Sequence, residues 1–243
     1  MPPLHPFAEK SVRSIMLIFV SALIAPSLTH GEVVVFDGVT TVETPVRIMV
    51  LTKGRIFSQG GMRVDIYLDG EHLKKILTGG DGYGYLKHTP RSPGLKKITA
   101  QSAEDRASGL MLVMEKKEKA IIIEIEAGFQ DTLLSAETRK NSQQVVGALS
   151  QKYKIIYLST SLGRGITASW LEKHGFPMSV ILPWQGSQLF AALKSKGVEV
   201  YAIIGSAPVI SEAKKHIENR YTFEDSKDGE TVQDWDEISE LLQ

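Results

Sequence analysis

Between Val33 and Met114 the apolar residues fall in short runs or alternate with polar ones, and almost none recur at the spacing of a helix face. The pattern predicts seven strands: Val33–Phe36, Val46–Leu51, Met62–Leu68, Leu73–Leu77, Tyr83–His88, Leu95–Ala100 and Leu110–Met114. Asp69-Gly70 and Asp81-Gly82 stand between strands at hairpin length, because Asp and Gly tolerate the positive φ of tight turns. Arg91-Ser92-Pro93-Gly94 is a further stop. Short strands at this spacing close into a sandwich of two antiparallel sheets.

The charged run Glu115–Lys119 reads as a solvated linker, and beyond it the periodicity changes. Ala120–Glu126 is nearly continuous in apolar residues, as in a strand buried on both faces of a parallel sheet. Predicted helices over Ala136–Gln151, Thr167–His174, Ser187–Ser195 and Ser211–Glu218 alternate with strands over Lys154–Leu158, Ser179–Leu182 and Val198–Ile204. His174, Gly175 and Pro177 form a helix stop, and Ser211 is placed as a helix cap. Asp234 to Glu237 has the spacing of a capping box that opens a last helix, docked through Trp235, Ile238 and Leu242. A βαβ series of this kind predicts a doubly wound sheet with right-handed crossovers.

At the start of the chain, Lys10 and Arg13 precede an apolar run from Ile15 to Ala25. That is the outline of a signal peptide over residues 1–31, shorter than the roughly 20 residues of a membrane-spanning helix. It predicts export, to a periplasm or beyond. The expected organisation is a signal peptide (1–31), a β-sandwich (32–114), a linker (115–119) and an α/β domain (120–243).

Lys and Arg number 28 against 28 Asp and Glu, so no overall positive field exists to hold nucleic acid, and none is expected as a partner. With no Cys, disulfides, thiolate metal sites and a cysteine nucleophile are excluded. The six His show no metal-ligand spacing, and no metal cluster is visible. Glu224 to Asp236 is an acidic stretch read as a solvated loop and a helix start.

Arg63–Gly70, Thr78–Gly84 and Pro93–Ala100 resemble the extracellular immunoglobulin-like modules of bacterial surface and secreted proteins. That resemblance implies an immunoglobulin-like sandwich that spaces, docks or binds a protein partner. The glycine run at Gly79–Gly84 reads as a turn rather than a phosphate loop, since no helix pattern follows it.

In a doubly wound sheet, ligands bind beyond the carboxyl ends of the strands. Three loops lie there: Glu124 and Glu126 with Ala127-Gly128, Ser159 to Gly165, and Gly205 to Pro208. Their spacing resembles the haloacid-dehalogenase-like phosphatase superfamily. Ile155–Ser159 followed by Trp170-Leu171 and His174–Pro177 is similar to its lipid-associated branch, found in lipins and phosphatidylinositol-transfer proteins. The resemblance implies a three-layer Rossmann-like domain. It puts Glu124 at the nucleophile position, Glu126 at the general acid/base position and Ser159 at the phosphate-holding hydroxyl.

Both acids are Glu where the superfamily has Asp, Ser206 replaces a Mg²⁺-binding acid, and Lys194 and Lys196 stand near the expected lysine but out of register. A displacement of about 1 Å costs on the order of 10²-fold in rate, so hydrolysis is expected to be lost. What remains expected is a pseudoenzyme, with no metal or cofactor, that binds a phosphate-bearing or anionic-lipid ligand. Ser159, Thr160, Ser161, Arg164, Gly205 and Ser206 would hold it, through hydroxyls, backbone N–H groups and a guanidinium. The alternatives are an active Mg²⁺-dependent phosphatase using Glu124 and Glu126, and a structural surface or interaction protein without a ligand.

Overall fold

The computed structural model describes residues 32–54, 57–130, 137–161 and 163–242. The expected signal peptide lies outside these residues, as does the start of the helix expected from Ala136.

The chain opens with β1 (Glu32–Val35) and β2 (Gly38–Thr41), followed by β3 (Val46–Lys53), β4 (Arg63–Leu68), β5 (Glu71–Leu77), β6 (Tyr83–His88), β7 (Gly94–Ser102) and β8 (Asp105–Met114). They form two sheets, one ordered β1-β3-β6 and the other β2-β8-β7-β4-β5. Alternate residues point inward, and Val33, Val35, Ile48, Val50, Val64, Ile66, Ile98 and Met111 fill the space between the sheets. This is an immunoglobulin-like β-sandwich, and the seven expected strands are all present. An eighth, β2, is short and pairs parallel with β8, while β1 pairs antiparallel with β3 in the opposite sheet. The first strand therefore changes sheets at Phe36-Asp37.

Asp69-Gly70 makes the expected two-residue hairpin between β4 and β5, with φ of 50° and 89°. Asp81-Gly82 is a turn, but the strands that it joins lie in different sheets. There Asp81 Oδ1 accepts the Tyr83 N–H, and Gly79 and Tyr83 are also linked through their backbones. A local turn signal fixes a reversal without fixing which strand each arm pairs with.

After a turn at Lys116-Lys117 comes β9 (Lys119–Glu124), then α1 (Ile125–Phe129), α2 (Ser142–Leu149), β10 (Lys154–Ser159), α3 (Arg164–Lys173), β11 (Ile181–Pro183), α4 (Gln188–Ser195), β12 (Glu199–Ile204), α5 (Ala207–Ala213), β13 (Asn219–Thr222), β14 (Glu230–Thr231) and α6 (Trp235–Leu242). The sheet is parallel throughout, in the order β11-β10-β9-β12-β13-β14. Along β9 the side chains alternate between two cores: Ile121 and Ile123 face Phe129, Tyr157 and Trp235, whereas Ala120 and Ile122 face Leu158, Phe190 and Ile210. That is why the run reads as continuously apolar.

Three boundaries differ from expectation, the first being the helix expected over Ala136–Gln151, which runs over Ser142–Leu149. The strand expected to reach Glu126 ends at Glu124, and Glu126 lies in the first turn of α1. The helix expected from Ser211 runs over Ala207–Ala213, because Pro208 occupies a first-turn position and Ser206 is the cap residue; Ser211 instead donates to Asp228. Strands β13 and β14 were not anticipated. The last helix matches expectation, with Asp234 Oδ1 accepting the N–H groups of Asp236 and Glu237.

The sandwich and the parallel sheet belong to one compact unit. Val39, Leu112 and Met114 of the sandwich sit in the same apolar cluster as Ala120, Ile122, Leu158 and Phe190.

Candidate functional site

The carboxyl ends of β9, β10 and β12 meet where the strand order reverses, and the expected residues converge there. Glu124 closes β9, Glu126 rises from α1, Ser159 closes β10 with Thr160 and Ser161 after it, and Gly205-Ser206 follow β12. Gly205 approaches closely: a Cβ on it would lie 2.8 Å from Glu124 Oε2, so a larger residue would displace that carboxylate.

Six hydroxyl and N–H groups of these loops point at the chain's own carboxylates, while the Ser161 hydroxyl lies 3.4 Å from that of Thr160. Glu126 Oε1 accepts the Ser159 hydroxyl at 2.8 Å, the Thr160 N–H at 3.1 Å and the Ser161 N–H at 3.0 Å. Glu124 Oε2 accepts the Ser206 N–H at 2.6 Å and its hydroxyl at 2.7 Å, and Oε1 accepts the Thr160 hydroxyl at 3.2 Å. Glu124 and Glu126 are both buried. Burial pushes the Glu124 carboxyl above its ordinary value, the Ser206 hydrogen bonds oppose that, and the charge of Glu126 adds to it. The groups hydrogen-bonded to Glu124 are donors, which stabilise its carboxylate, while the neighbouring Glu126 carboxylate opposes its charge. Among the described residues, no group of three or more Asp, Glu or His side chains is arranged to hold a metal ion.

Arg164 does not face this crevice. Its Nε donates to Asp37 Oδ1 at 2.6 Å and its Nη1 to the Ser108 carbonyl at 3.2 Å. Asp37 has a fully buried side chain and also accepts the Leu110 N–H at 2.7 Å and the Ile181 N–H at 2.8 Å. One carboxylate at the sheet-switching point thus binds β8, β11 and α3 together. Burial raises the Asp37 carboxyl above its ordinary range, and Arg164 is the chief opposing influence. Sequence reasoning passed over Asp37; the available signal was a lone acid between two apolar β segments, followed by Gly38.

Lys194 and Lys196 lie at the end of α4 that precedes β12, hence at the amino edge of the sheet and away from the crevice. There the Lys196 carbonyl accepts the Thr41 hydroxyl of the sandwich at 2.9 Å. His174 serves its helix end through the Trp170 carbonyl, and Trp170 and Trp235 stack with Phe129 in the core.

No family model and no curated protein matches the chain. The solved structures that it resembles are β-sandwich modules. The CARDB domain of the PF1109 protein from Pyrococcus furiosus is 20% identical, over 35% of this chain and 91% of that one, with a TM-score of 0.27. Fibronectin(III)-like modules of Clostridium thermocellum CbhA are 16% identical, over 36% and 48%, with a TM-score of 0.27. Domain I10 of titin is 13% identical, over 35% and 98%, with a TM-score of 0.28.

The haloacid-dehalogenase-like, lipin-like identification is therefore corrected. None of the solved structures named above is a phosphatase, and Glu126 lies in the first turn of α1 rather than at the end of a strand. The expected phosphate or anionic-lipid ligand is corrected with it. Glu126 and Glu124 take up the loop donors, and Asp37 holds the guanidinium. Glu124, Glu126, Ser159 and Ser206 come together as neighbours that satisfy one another, and Arg164 turns away from them.

Proposed function

We propose that this chain is an exported structural or interaction protein, in which the sandwich offers a face to a protein partner and the α/β layers form its rigid mount. The N-terminal pattern of Lys10, Arg13 and the run Ile15–Ala25 supports export. The observation that carries the reading is the outer face of the three-stranded sheet. On β3 the outward positions are Arg47, Met49, Leu51 and Lys53; on β6 they are Tyr83, Tyr85 and Lys87. Tyr83 stacks on Phe36 at 6.1 Å and on Tyr85 at 6.3 Å, Arg47 lies over the Tyr85 ring at 5.3 Å, and Tyr85 is 49% exposed.

Partly exposed Tyr, Met and Arg on one flat face match the composition of protein interfaces, and contiguous exposed apolar surface is uncommon on a face with no partner. The crevice, by contrast, is closed by its own hydrogen bonds.

A photo-crosslinking amino acid placed at Tyr85 in the producing cells tests this, with Lys173 on the exposed side of α3 as control. A protein adduct is expected from position 85 and not from 173. No adduct at 85, or equal adducts at both positions, would sink the reading.

A further inference from the structure

The net charge of zero conceals a division along the chain. From Glu224 to Gln243 there are eight carboxylates and one lysine, a net charge of −7, so the remainder carries +7. Much of the acid is on or beside α6. That helix buries Trp235, Ile238 and Leu242 and packs against α2, leaving Asp236, Glu237, Glu240 and Leu241 on its outer side, with Leu241 40% exposed. Asp236 with Glu240 and Glu237 with Leu241 are four apart, so they form one acidic strip with an apolar residue within it.

The outer sheet face of the sandwich has the opposite character. Its apolar centre of Phe36, Met49, Leu51, Tyr83 and Tyr85 is bordered by Arg47, Lys53 and Lys87, with Glu32 paired to Lys53 at 3.8 Å and Asp81 in the turn before Tyr83. Three strands at about 4.8 Å spacing present a platform about 10 Å across, and a helix with its side chains is about 10–12 Å in diameter.

We propose that the occupant of this face is a second copy of the chain, whose α6 outer strip lies on the sheet with Leu241 over the tyrosines and its acids against Arg47, Lys53 and Lys87. The inference rests on the interaction reading above and names the partner. Both faces belong to one compact unit and are backed by different cores, the sandwich core behind the sheet and the α/β core behind α6. A contact between two different faces is heterologous, so addition continues head to tail until the rotation closes a ring. The contact is small, and its affinity depends on charge, so it weakens as salt screens the two rims.

The test is sedimentation of the purified chain from about 5 to about 200 μM, the range in which a small interface dissociates. The weight-average mass is expected to rise above that of the monomer with concentration in low salt, and to return to it in about 0.5 M NaCl. The sheet variant Arg47→Glu/Tyr85→Ser and the helix variant Glu240→Lys/Leu241→Ser are each expected to remain monomeric. Their equimolar mixture is expected to give one-to-one dimers and nothing larger, because only one pair of faces is intact. Thermal unfolding of each variant controls for folding, and Tyr85→Phe is expected to retain association.

A wild-type chain that stays monomeric in low salt overturns the proposal. So does a mixture that fails to pair, or loss of association in the sheet variant alone, which would mean sheet-to-sheet pairing. A crosslink from position 85 to a different protein, with a monomeric chain, overturns this inference and leaves the interaction reading standing.

Discussion

Asp37 and Glu124 are buried carboxylates in opposite circumstances. Asp37 has a guanidinium beside it, whereas Glu124 has only hydroxyl and amide donors and a second carboxylate nearby. Burial prevails in both, and each carboxyl is raised above its ordinary value, 3.8 for Asp37 and 4.5 for Glu124. A raised native-state carboxyl contributes stability that is complete below its unfolded value and is lost as pH climbs through the native one. Glu124→Gln removes that titration. The stability of the wild type relative to Glu124→Gln is therefore expected to fall as pH rises from about 4 to about 7, the interval above the ordinary Glu value. Urea midpoints at matched pH would read it, and a difference that rises over this interval would contradict the raised carboxyl.

At the scale of elements, the crevice is a helix start pinned to a strand end. Glu126 sits in the first turn of α1 and gathers donors from the loop after β10, so it fixes both the exit of β9 and the course of residues 159–161. Glu126→Ala leaves the Ser159 hydroxyl and the Thr160 and Ser161 N–H groups without this acceptor. The expected cost is about 2–3 kcal/mol, read by chemical denaturation, with faster hydrogen exchange at Thr160 and Ser161. Unchanged exchange at those two amides would show that the loop holds its shape without the carboxylate.

At the scale of the molecule, the sandwich and the α/β layers share an apolar cluster, and Asp37 ties three elements across their junction. Neither part can open without exposing Val39, Leu112 and Met114. One cooperative thermal transition is therefore expected, with calorimetric and van't Hoff enthalpies equal. Asp37→Ala is expected to lower stability by about 3–5 kcal/mol, because it strands a partly buried guanidinium and two partly buried N–H groups. Two separate transitions in the wild type would mean that the shared cluster does not couple the halves.

The seven expected strands of the sandwich, the Asp69-Gly70 hairpin and the α6 cap are legible in the sequence, because each depends on alternation, on positive φ or on a carboxylate within four residues of the N–H groups it caps. The convergence of Glu124, Glu126, Ser159 and Ser206 was also legible from their places after apolar strands. What these groups do when they meet was not. Whether a hydroxyl faces a ligand or the carboxylate of Glu126, and whether Arg164 turns to the crevice or across the junction to Asp37, depends on residues 33 to 127 positions apart in the chain. Local periodicity carries no record of such pairings. Only packing sets which buried charges and donors lie within hydrogen-bonding distance, and here it matched them to one another.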